Sequence, residues 1–101
     1  MIIYNVTTKV DWAIHDAWVL WMKNTHMPEV VATGCFSGWQ LLRLLDTDER
    51  EGPTYAAQYF AESKSDYNRY IELYSTALRQ KVADCWGEQL VAFRSLMEIV
   101  Q

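Results

Sequence analysis

The chain alternates between two kinds of apolar spacing, and their order restricts the possible folds more than any other feature of the sequence. Apolar and polar residues alternate over residues 2–10, 39–45, 54–62 and 89–98, which is typical of β-strands. Between the first and second of these segments, and again between the third and fourth, apolar residues recur every three or four positions, as they do in helices. The predicted order is therefore strand, helix, strand, strand, helix, strand.

The first helix contains a proline, which limits its length. Asp11 can cap its start. Pro28 disfavours a helical backbone at the residue before it, so we predict that the helix is kinked or broken at residues 25–27. Proline also suits the first turn of a helix, which predicts a new turn over residues 28–33 that ends at Gly34.

The second helix is expected to be long and uninterrupted. Ser63 followed by Asp66 resembles a capping box in which Asp replaces Glu, and Gly87 is a suitable residue to end the helix. The segment before it, residues 46–53, is polar and rich in turn-forming residues, and it predicts a hairpin loop between the second and third strands.

This order of elements is the split βαβ pattern of the ferredoxin-like α+β fold. We therefore expect a four-stranded antiparallel sheet, in the order fourth, first, third and second strand, with two helices on one face. A chain of 101 residues corresponds to one domain, and no linker or internal repeat divides residues 1–101.

One face of such a sheet packs against the helices, and the more apolar side of each strand is expected there. Because side chains alternate between faces, this choice places Tyr4 and Tyr59 under the helices, with Val91, Phe93, Leu42 and Leu44 on the outer strands. The opposite face then carries one polar residue near the middle of each strand: Asn5, Arg43, Gln58 and Arg94.

That second face is too apolar to remain in water. Its polar centre would be surrounded by Ile3, Leu41, Ala56, Phe60, Leu90, Ala92 and Leu96. A face of this kind requires a cover with which it can form hydrogen bonds, and a second copy of the same sheet supplies one. We therefore predict a homodimer in which two sheets form a dimeric α/β barrel.

Composition argues against several classes of function. The net charge is −4 and the nine basic residues are spread thinly, so nucleic acid is not an expected partner. No apolar run approaches the ~20 residues of a membrane span, and the first residues do not resemble a signal peptide. Cys35 and Cys85 are too far apart to form a metal-type or redox motif, and they are expected to be reduced thiols in a cytoplasmic protein.

His26 is the best single candidate for chemistry. It lies at the predicted helix break, where a side chain can point into a cleft, and its ordinary pKa of about 6.5 suits general acid–base catalysis. The alternative is structural, because His26 could donate a hydrogen bond to a backbone carbonyl that the break leaves free.

The aromatic residues provide a second candidate site. Five Trp and six Tyr are more than one small core usually needs, which suggests an aromatic-lined cavity or an interface. Tyr4, Trp18, Trp21 and Tyr59 could line a cleft between helices and sheet and bind an apolar or aromatic molecule. The alternative is that these residues simply form the core.

The polar residues of the open face form a third candidate. Arg94, with Arg43, Asn5 and Gln58 nearby, could bind a carboxylate through its two-pronged guanidinium group. Alternatively, these four residues form a hydrogen-bonded network across the dimer and fix its register.

No metal site is predicted. His15 and His26 are eleven residues apart and cannot share a helix face as ligands at positions i and i+4 do. The acidic residues between 46 and 51 lack the ligand spacing and the glycine of a calcium loop. The sequence also contains no phosphate-binding glycine loop and no recognisable nucleophile–histidine arrangement.

Six motifs occur in an order that identifies a resemblance over nearly the whole chain. They are Tyr4-Asn5-Val6-Thr7, Trp18-x-x-Trp21-Met22, His26-x-Pro28, Ala32-Thr33-Gly34-x-Phe36, Tyr55-x-x-Gln58-Tyr59-Phe60 and Ala92-Phe93-Arg94. The chain resembles the bacterial domain of unknown function 4286 family. The resemblance implies a ferredoxin-like fold and a dimeric α/β barrel, and it implies no function.

The architecture is also similar to that of cofactor-free monooxygenases, haem-degrading oxygenases and muconolactone-type isomerases. Asn5 matches the asparagine on the first strand of the haem-degrading proteins. Their axial histidine lies on the second helix, however, and residues 63–86 contain no histidine, while Phe60 stands near the position of their tryptophan. Haem is therefore not expected, and no other cofactor is predicted.

Two hypotheses of function follow. In the first, the domain binds a small apolar or aromatic molecule in the helix–sheet cleft. If it is an enzyme, the reaction is a cofactor-free oxygenation or isomerisation with His26 as acid or base. This hypothesis rests on analogy of fold. In the second, the protein is a non-catalytic homodimer with an interaction or regulatory role.

Overall fold

A computed structural model describes all 101 residues, and its centre is a four-stranded antiparallel sheet. The strands are β1 (Ile2–Val10), β2 (Gly38–Arg43), β3 (Thr54–Ala61) and β4 (Leu90–Glu98). Their order in the sheet is β2-β3-β1-β4. This order and the helices between the strands confirm the predicted ferredoxin-like α+β fold.

A π-helical turn interrupts the first helical region where a kink or break was predicted, although the backbone stays helical there. It consists of α1 (His15–Trp21), a π-helical turn (Met22–His26) and α2 (Met27–Val31). The backbone N–H of Met27 bonds to the carbonyl of Met22, five residues earlier, and Met27 keeps helical angles of φ −66° and ψ −41°. A proline ring in a regular α-helix collides with the carbonyl four residues before it, and a π-helical turn changes that spacing. The backbone therefore stays helical up to Pro28 and beyond.

The second helical region is divided, contrary to the prediction of one long helix. It consists of α3 (Lys64–Leu73) and α4 (Ser75–Trp86), which are separated by Tyr74 with φ −126°. The hydroxyl of Ser75 donates to the carbonyl of Ile71 at 2.7 Å and so occupies an acceptor of the preceding turn, an interaction that often bends helices. The predicted boundaries are confirmed, since Ser63 Oγ accepts from the N–H of Asp66 and Gly87 ends α4 with φ 58°.

The side chains of the central strands occupy the predicted faces of the sheet, whereas those of the outer strands do not. Tyr4 is paired with Tyr59, and both lie on the helix-covered face. In β4, however, Arg94 is paired with Val6, and in β2, Arg43 is paired with Tyr55, so both arginines also belong to the covered face. The prediction that these arginines lie on the open face is therefore wrong.

The error for Arg94 arises because apolar side chains of β4 are exposed on the open face. The more apolar residues of an outer strand were expected to face the helices. Instead, Val91 and Phe93 are on the open face, where they are 69% and 62% exposed. No β-bulge is involved, because the pairing of β1 with β4 is continuous from Ile2 to Val10.

The open face has a polar centre, as predicted, but with different members. Asn5, Gln58 and Gln40 are neighbours on adjacent strands. Gln40 Nε2 donates to Gln58 Oε1 at 2.7 Å, and Gln58 Nε2 donates to Asn5 Oδ1 at 3.2 Å. Apolar side chains share this face with the amide row: Ile3, Leu42, Phe60, Val91, Phe93 and Met97.

The hydrophobic core lies between the covered face and the helices. Its largest fully buried side chains include Trp18, Met27, Val30 and Tyr59. Phe36 packs between Tyr59 and Tyr70, with ring centroids 5.5 and 4.9 Å away. None of the helices has both the length and the apolar character needed to span a membrane.

Candidate ligand-binding site

A mostly apolar cavity lies between the covered face of the sheet and the helices. Its empty volume is about 520 Å³, which includes a mouth open to solvent. It is lined by residues of β1, β3, β4, α1, the π-helical turn, α3 and α4, namely Tyr4, Val6, Thr8, Trp18, Met22, His26, Ala57, Tyr59, Tyr70, Arg79, Val82, Leu90, Ala92 and Arg94.

The hydroxyl of Tyr4 is the focus of the polar contacts in this cavity. Arg94 Nε donates to it at 3.1 Å, and Arg79 Nη2 donates to it at 3.2 Å. A tyrosine hydroxyl has two lone pairs and one proton. The two guanidinium groups occupy the lone pairs, so the proton of Tyr4 is available to a further acceptor.

The two arginines have no acidic partner. The ion pairs of the structure involve Arg43, Arg50, Arg69, Lys81 and His15, and neither Arg79 nor Arg94 takes part. No Asp or Glu lines the cavity. Although the chain carries a net charge of −4, this cavity therefore has a local excess of positive charge that favours an anionic group.

His26 lines the same cavity and lacks a hydrogen bond on one side of its ring. It ends the π-helical turn, is only 9% exposed, and its Nδ1 is buried without a partner. Its ring stacks on Trp21 with centroids 4.8 Å apart and planes 14° apart. The predicted structural alternative, a hydrogen bond to a backbone carbonyl, is absent at Nδ1.

The surroundings of His26 favour its neutral form. Burial lowers its pKa to about 4, and the charge of Lys81 acts in the same direction, while Glu29 partly opposes them. A neutral imidazole has a nitrogen that can accept a proton. His26 is therefore unprotonated at neutral pH, although the same burial makes it a weak base.

Two further tyrosines surround Tyr4 and remain neutral. The rings of Tyr59 and Tyr70 lie 5.9 and 5.8 Å from the ring of Tyr4. Burial raises the pKa of Tyr59 and of Tyr70 well above the ordinary value for tyrosine. They provide flat apolar walls, as an aromatic ligand requires.

The structure brings together five of the residues that the sequence suggested. Tyr4, Trp18, His26, Tyr59 and Arg94 all line the cavity. Arg94 therefore belongs with the aromatic residues rather than with the polar row of the open face.

The other four residues lie elsewhere. Trp21 packs behind His26 without lining the cavity. Asn5 and Gln58 belong to the open face. Arg43 pairs with Glu49 and lies 5.8 Å from the ring of Trp12, near the hairpin loop. The predicted group of two arginines with Asn5 and Gln58 does not form.

Sequence reasoning missed Arg79 and Tyr70 as site residues. On one continuous helix, Arg79 falls on the side opposite the apolar stripe that includes Tyr70 and Leu78. Tyr70 and Leu78 are both buried, as that stripe requires, and Arg79 is exposed. Its long side chain nevertheless brings the guanidinium group to the Tyr4 hydroxyl, a contact that helical spacing does not indicate.

No group of three or more His, Cys, Asp or Glu side chains is placed to hold a metal ion. His15 instead contacts Asp16 at 3.0 Å and the hydroxyl of Tyr55 at 2.7 Å. The polar groups that line the cavity are one imidazole, two guanidinium groups, the hydroxyls of three tyrosines and the hydroxyl of Thr8.

These features define a ferredoxin-like α+β domain with an apolar cavity under the helices and one cationic, hydroxyl-bearing end. The chain belongs to the Domain of unknown function (DUF4286) family, whose model matches residues 1–100. No curated protein matches it significantly.

Two solved structures have the same fold. An ethyl tert-butyl ether degradation (EthD) family protein from Bacillus halodurans is 14% identical, with a TM-score of 0.65 over 99% of this chain and 100% of that one. A monooxygenase-like protein from Shewanella loihica is 16% identical, with a TM-score of 0.51 over 99% of this chain and 95% of that one. At such identities the likeness shows the fold alone.

Proposed function

We propose that the protein binds a small, largely apolar organic molecule that carries one acidic oxygen group. The observation that supports this most directly is the convergence of Arg79 and Arg94 on the hydroxyl of Tyr4, at the edge of an apolar cavity and without any carboxylate to balance them. The anionic group of the ligand would accept hydrogen bonds from the guanidinium groups and from the hydroxyl of Tyr4. The apolar part of the ligand would lie against the aromatic walls of the cavity.

The fold and the site together favour an enzyme that works without a cofactor. The similar structures include an EthD family protein and a monooxygenase-like protein. In this chain the cavity is lined by a neutral His26 and also by the Tyr4 hydroxyl with its two arginines, which can stabilise negative charge. A cofactor-free isomerisation or oxygenation would use His26 as acid or base.

A homodimer through the open face is the second part of the proposal. Phe93 and Val91 are largely exposed there, beside the amide row of Asn5, Gln58 and Gln40. Amides both donate and accept hydrogen bonds, so such a row can pair with its own copy across a twofold axis. Light scattering after gel filtration is expected to give twice the monomer mass, and a monomer at all concentrations would contradict the proposal.

If the cavity binds nothing, the open face supports the alternative function of a non-catalytic, homodimeric interaction protein. Native mass spectrometry of the purified protein distinguishes the two possibilities. A dimer with a discrete additional mass supports binding of a small molecule. A dimer without additional mass that also binds neither benzoate nor benzamide favours the interaction protein.

The experiment for ligand binding compares an anion with a neutral molecule of the same shape. Benzoate and benzamide are titrated separately, with tryptophan fluorescence as the signal because Trp18 lines the cavity. We expect benzoate to bind at least about tenfold more tightly, since a hydrogen bond to a charged group contributes about 1.5–3 kcal/mol.

Variants test the role of the arginines in this preference. Arg79→Gln combined with Arg94→Gln is expected to abolish the preference for benzoate. Arg50→Gln is the matched control, because Arg50 pairs with Asp48 in the hairpin loop and does not line the cavity. Equal binding of benzoate by all three proteins would refute an anion site at these arginines.

A further inference from the structure

We infer that this site catalyses the transfer of a proton to and from a carbon atom of its substrate. His26 removes it from the carbon beside a carbonyl group, and Tyr4, held by Arg79 and Arg94, stabilises the enolate oxygen that results. The inference rests on the proposed function, because it uses the same cavity. It goes further by naming the substrate class, an apolar carbonyl compound with an acidified C–H bond, and the reaction class, a keto–enol isomerisation.

The oxygen side of the reaction is defined by Tyr4. Both lone pairs of its hydroxyl receive guanidinium N–H groups, at 3.1 and 3.2 Å, so its only remaining function as a polar group is to donate its proton. A donor fixed in this way, beside two cations and inside a mostly apolar cavity, is suited to an oxygen that gains negative charge during a reaction.

The carbon side is defined by His26. Its ring is held by stacking on Trp21, and Trp21 in turn contacts Trp86 with ring centroids 5.7 Å apart. His26 and Tyr4 line the same cavity, so one bound substrate can contact both. Of the residues that line this cavity, His26 is the one that can accept a proton while neutral.

The proposed step balances without any oxidant or cofactor. The C–H bond breaks and its proton goes to the imidazole. The electron pair of that bond forms a C=C bond, while the carbonyl π pair moves to the oxygen, which accepts hydrogen bonds from Tyr4 and the guanidinium groups. Return of the proton to the oxygen gives the enol, and its return to a carbon gives the ketone or its double-bond isomer.

The environment of His26 limits the substrates. Burial weakens the imidazole as a base, so simple ketones, whose C–H bonds are weakly acidic, are poor candidates. A second carbonyl, a carboxylate or an aromatic ring next to the reacting carbon makes the C–H bond more acidic. The anion that forms beside the imidazole also stabilises the imidazolium, because opposite charges attract strongly in a cavity of low dielectric constant.

Phenylpyruvate is a suitable probe because it combines an aromatic ring, a carboxylate and an acidic benzylic CH₂ next to a carbonyl. In D₂O, catalysis is measured as loss of the benzylic proton signal in ¹H NMR, relative to a sample without protein. Binding is measured separately by quenching of tryptophan fluorescence. We expect the protein to accelerate the exchange at least about tenfold.

Three variants identify the residues responsible. His26→Gln is expected to bind phenylpyruvate within about twofold of the unmodified protein but to exchange at the background rate. Tyr4→Phe, which keeps the ring and removes only the hydroxyl, is expected to slow exchange about 10- to 100-fold. Arg50→Gln is the control and is expected to exchange at the unmodified rate.

The outcomes separate this inference from the proposed function. Binding without accelerated exchange overturns the inference and leaves the binding proposal intact. Absence of binding of both phenylpyruvate and benzoate refutes both. Accelerated exchange that survives in both His26→Gln and Tyr4→Phe refutes the assignment of these residues, and Tyr4→Phe keeps this test decisive if the histidine variant fails to fold.

Discussion

Arg94 Nε lies 3.1 Å from the hydroxyl of Tyr4, although 90 positions separate the two residues in the chain. The contact depends on the pairing of β4 with β1, which places Arg94 opposite Val6 and on the same face as Tyr4. Arg79 reaches the same oxygen from α4. Three distant elements thus build the cationic end of the cavity, and the site exists only in the folded chain.

Removal of the Tyr4 hydroxyl is expected to weaken anion binding more than it weakens the fold. In Tyr4→Phe the ring keeps its contacts with Tyr59, Phe36 and Tyr70, while the exposed arginines can turn to water. We expect a loss of about 1–2 kcal/mol in the free energy of unfolding, measured with urea, and about a tenfold loss in affinity for benzoate. Tyr67→Phe is the matched control, because Tyr67 also packs against Tyr4 but does not line the cavity, and it is expected to retain the affinity. An equal loss of affinity in both variants would show that the Tyr4 hydroxyl has no special role.

Two leucines on either side of Tyr74 test how the second helical region packs on the sheet. Leu78 in α4 is 6% exposed, whereas Leu73 at the end of α3 is 62% exposed. Leu78→Ala is expected to lower the free energy of unfolding by about 2–5 kcal/mol because it leaves a cavity in the core. Leu73→Ala is expected to change it by less than about 0.5 kcal/mol. Similar losses for the two variants, measured by urea unfolding, would contradict the observed packing of these helices.

The open face is tested with a charge at its most apolar edge. Phe93→Asp would place an unpaired carboxylate in the proposed interface, and we expect it to convert the dimer into a folded monomer. Leu73→Asp is the control because Leu73 has the same exposure, 62%, but lies on a helix. The mass is measured by light scattering and folding by circular dichroism. A Phe93→Asp protein that remains dimeric would exclude the open face as the interface.

The central part of the fold could be predicted from the sequence because its strands have one strongly buried side. In β1 and β3, burial under the helices produces the alternation that places Tyr4 and Tyr59 inward, and the pairing of Asn5 with Gln58 follows from it. The boundaries at Ser63 and Gly87 are local features and were also predictable. These features depend on short-range spacing.

The facing of the outer strands and the form of the helix interruptions could not be predicted in the same way. Val91 and Phe93 are apolar but exposed, so hydrophobicity does not indicate which side of β4 faces the helices. Pro28 indicated an interruption near Met27 but not its form, a π-helical turn, and nothing in the spacing indicated the division at Tyr74. Arg94 lies on β4, and Arg79 is an exposed residue of α4, so the cationic end of the cavity could not be derived from the sequence.

Burial of His26 has a measurable effect on stability at acidic pH. Its pKa is about 6.5 in the unfolded chain and about 4 in the folded protein, so between these values the unfolded state binds the proton more strongly. Above pH 6.5 neither state is protonated and burial carries no penalty. As the pH falls from 6.5 to 4, the free energy of unfolding is expected to fall by up to about 3 kcal/mol from this residue alone, and then to level off.

The prediction is tested by urea unfolding between pH 7.5 and 4 in the unmodified protein and in His26→Gln. Both proteins contain the same carboxylates, including Glu29, so the difference between the two pH profiles isolates the histidine. We expect the free energy of unfolding to fall more steeply with decreasing pH in the unmodified protein than in His26→Gln, because glutamine takes up no proton in the unfolded state. Parallel profiles would mean that His26 takes up its proton equally well in the folded protein. The imidazole would then face water rather than the buried, unpartnered position that makes it a candidate base.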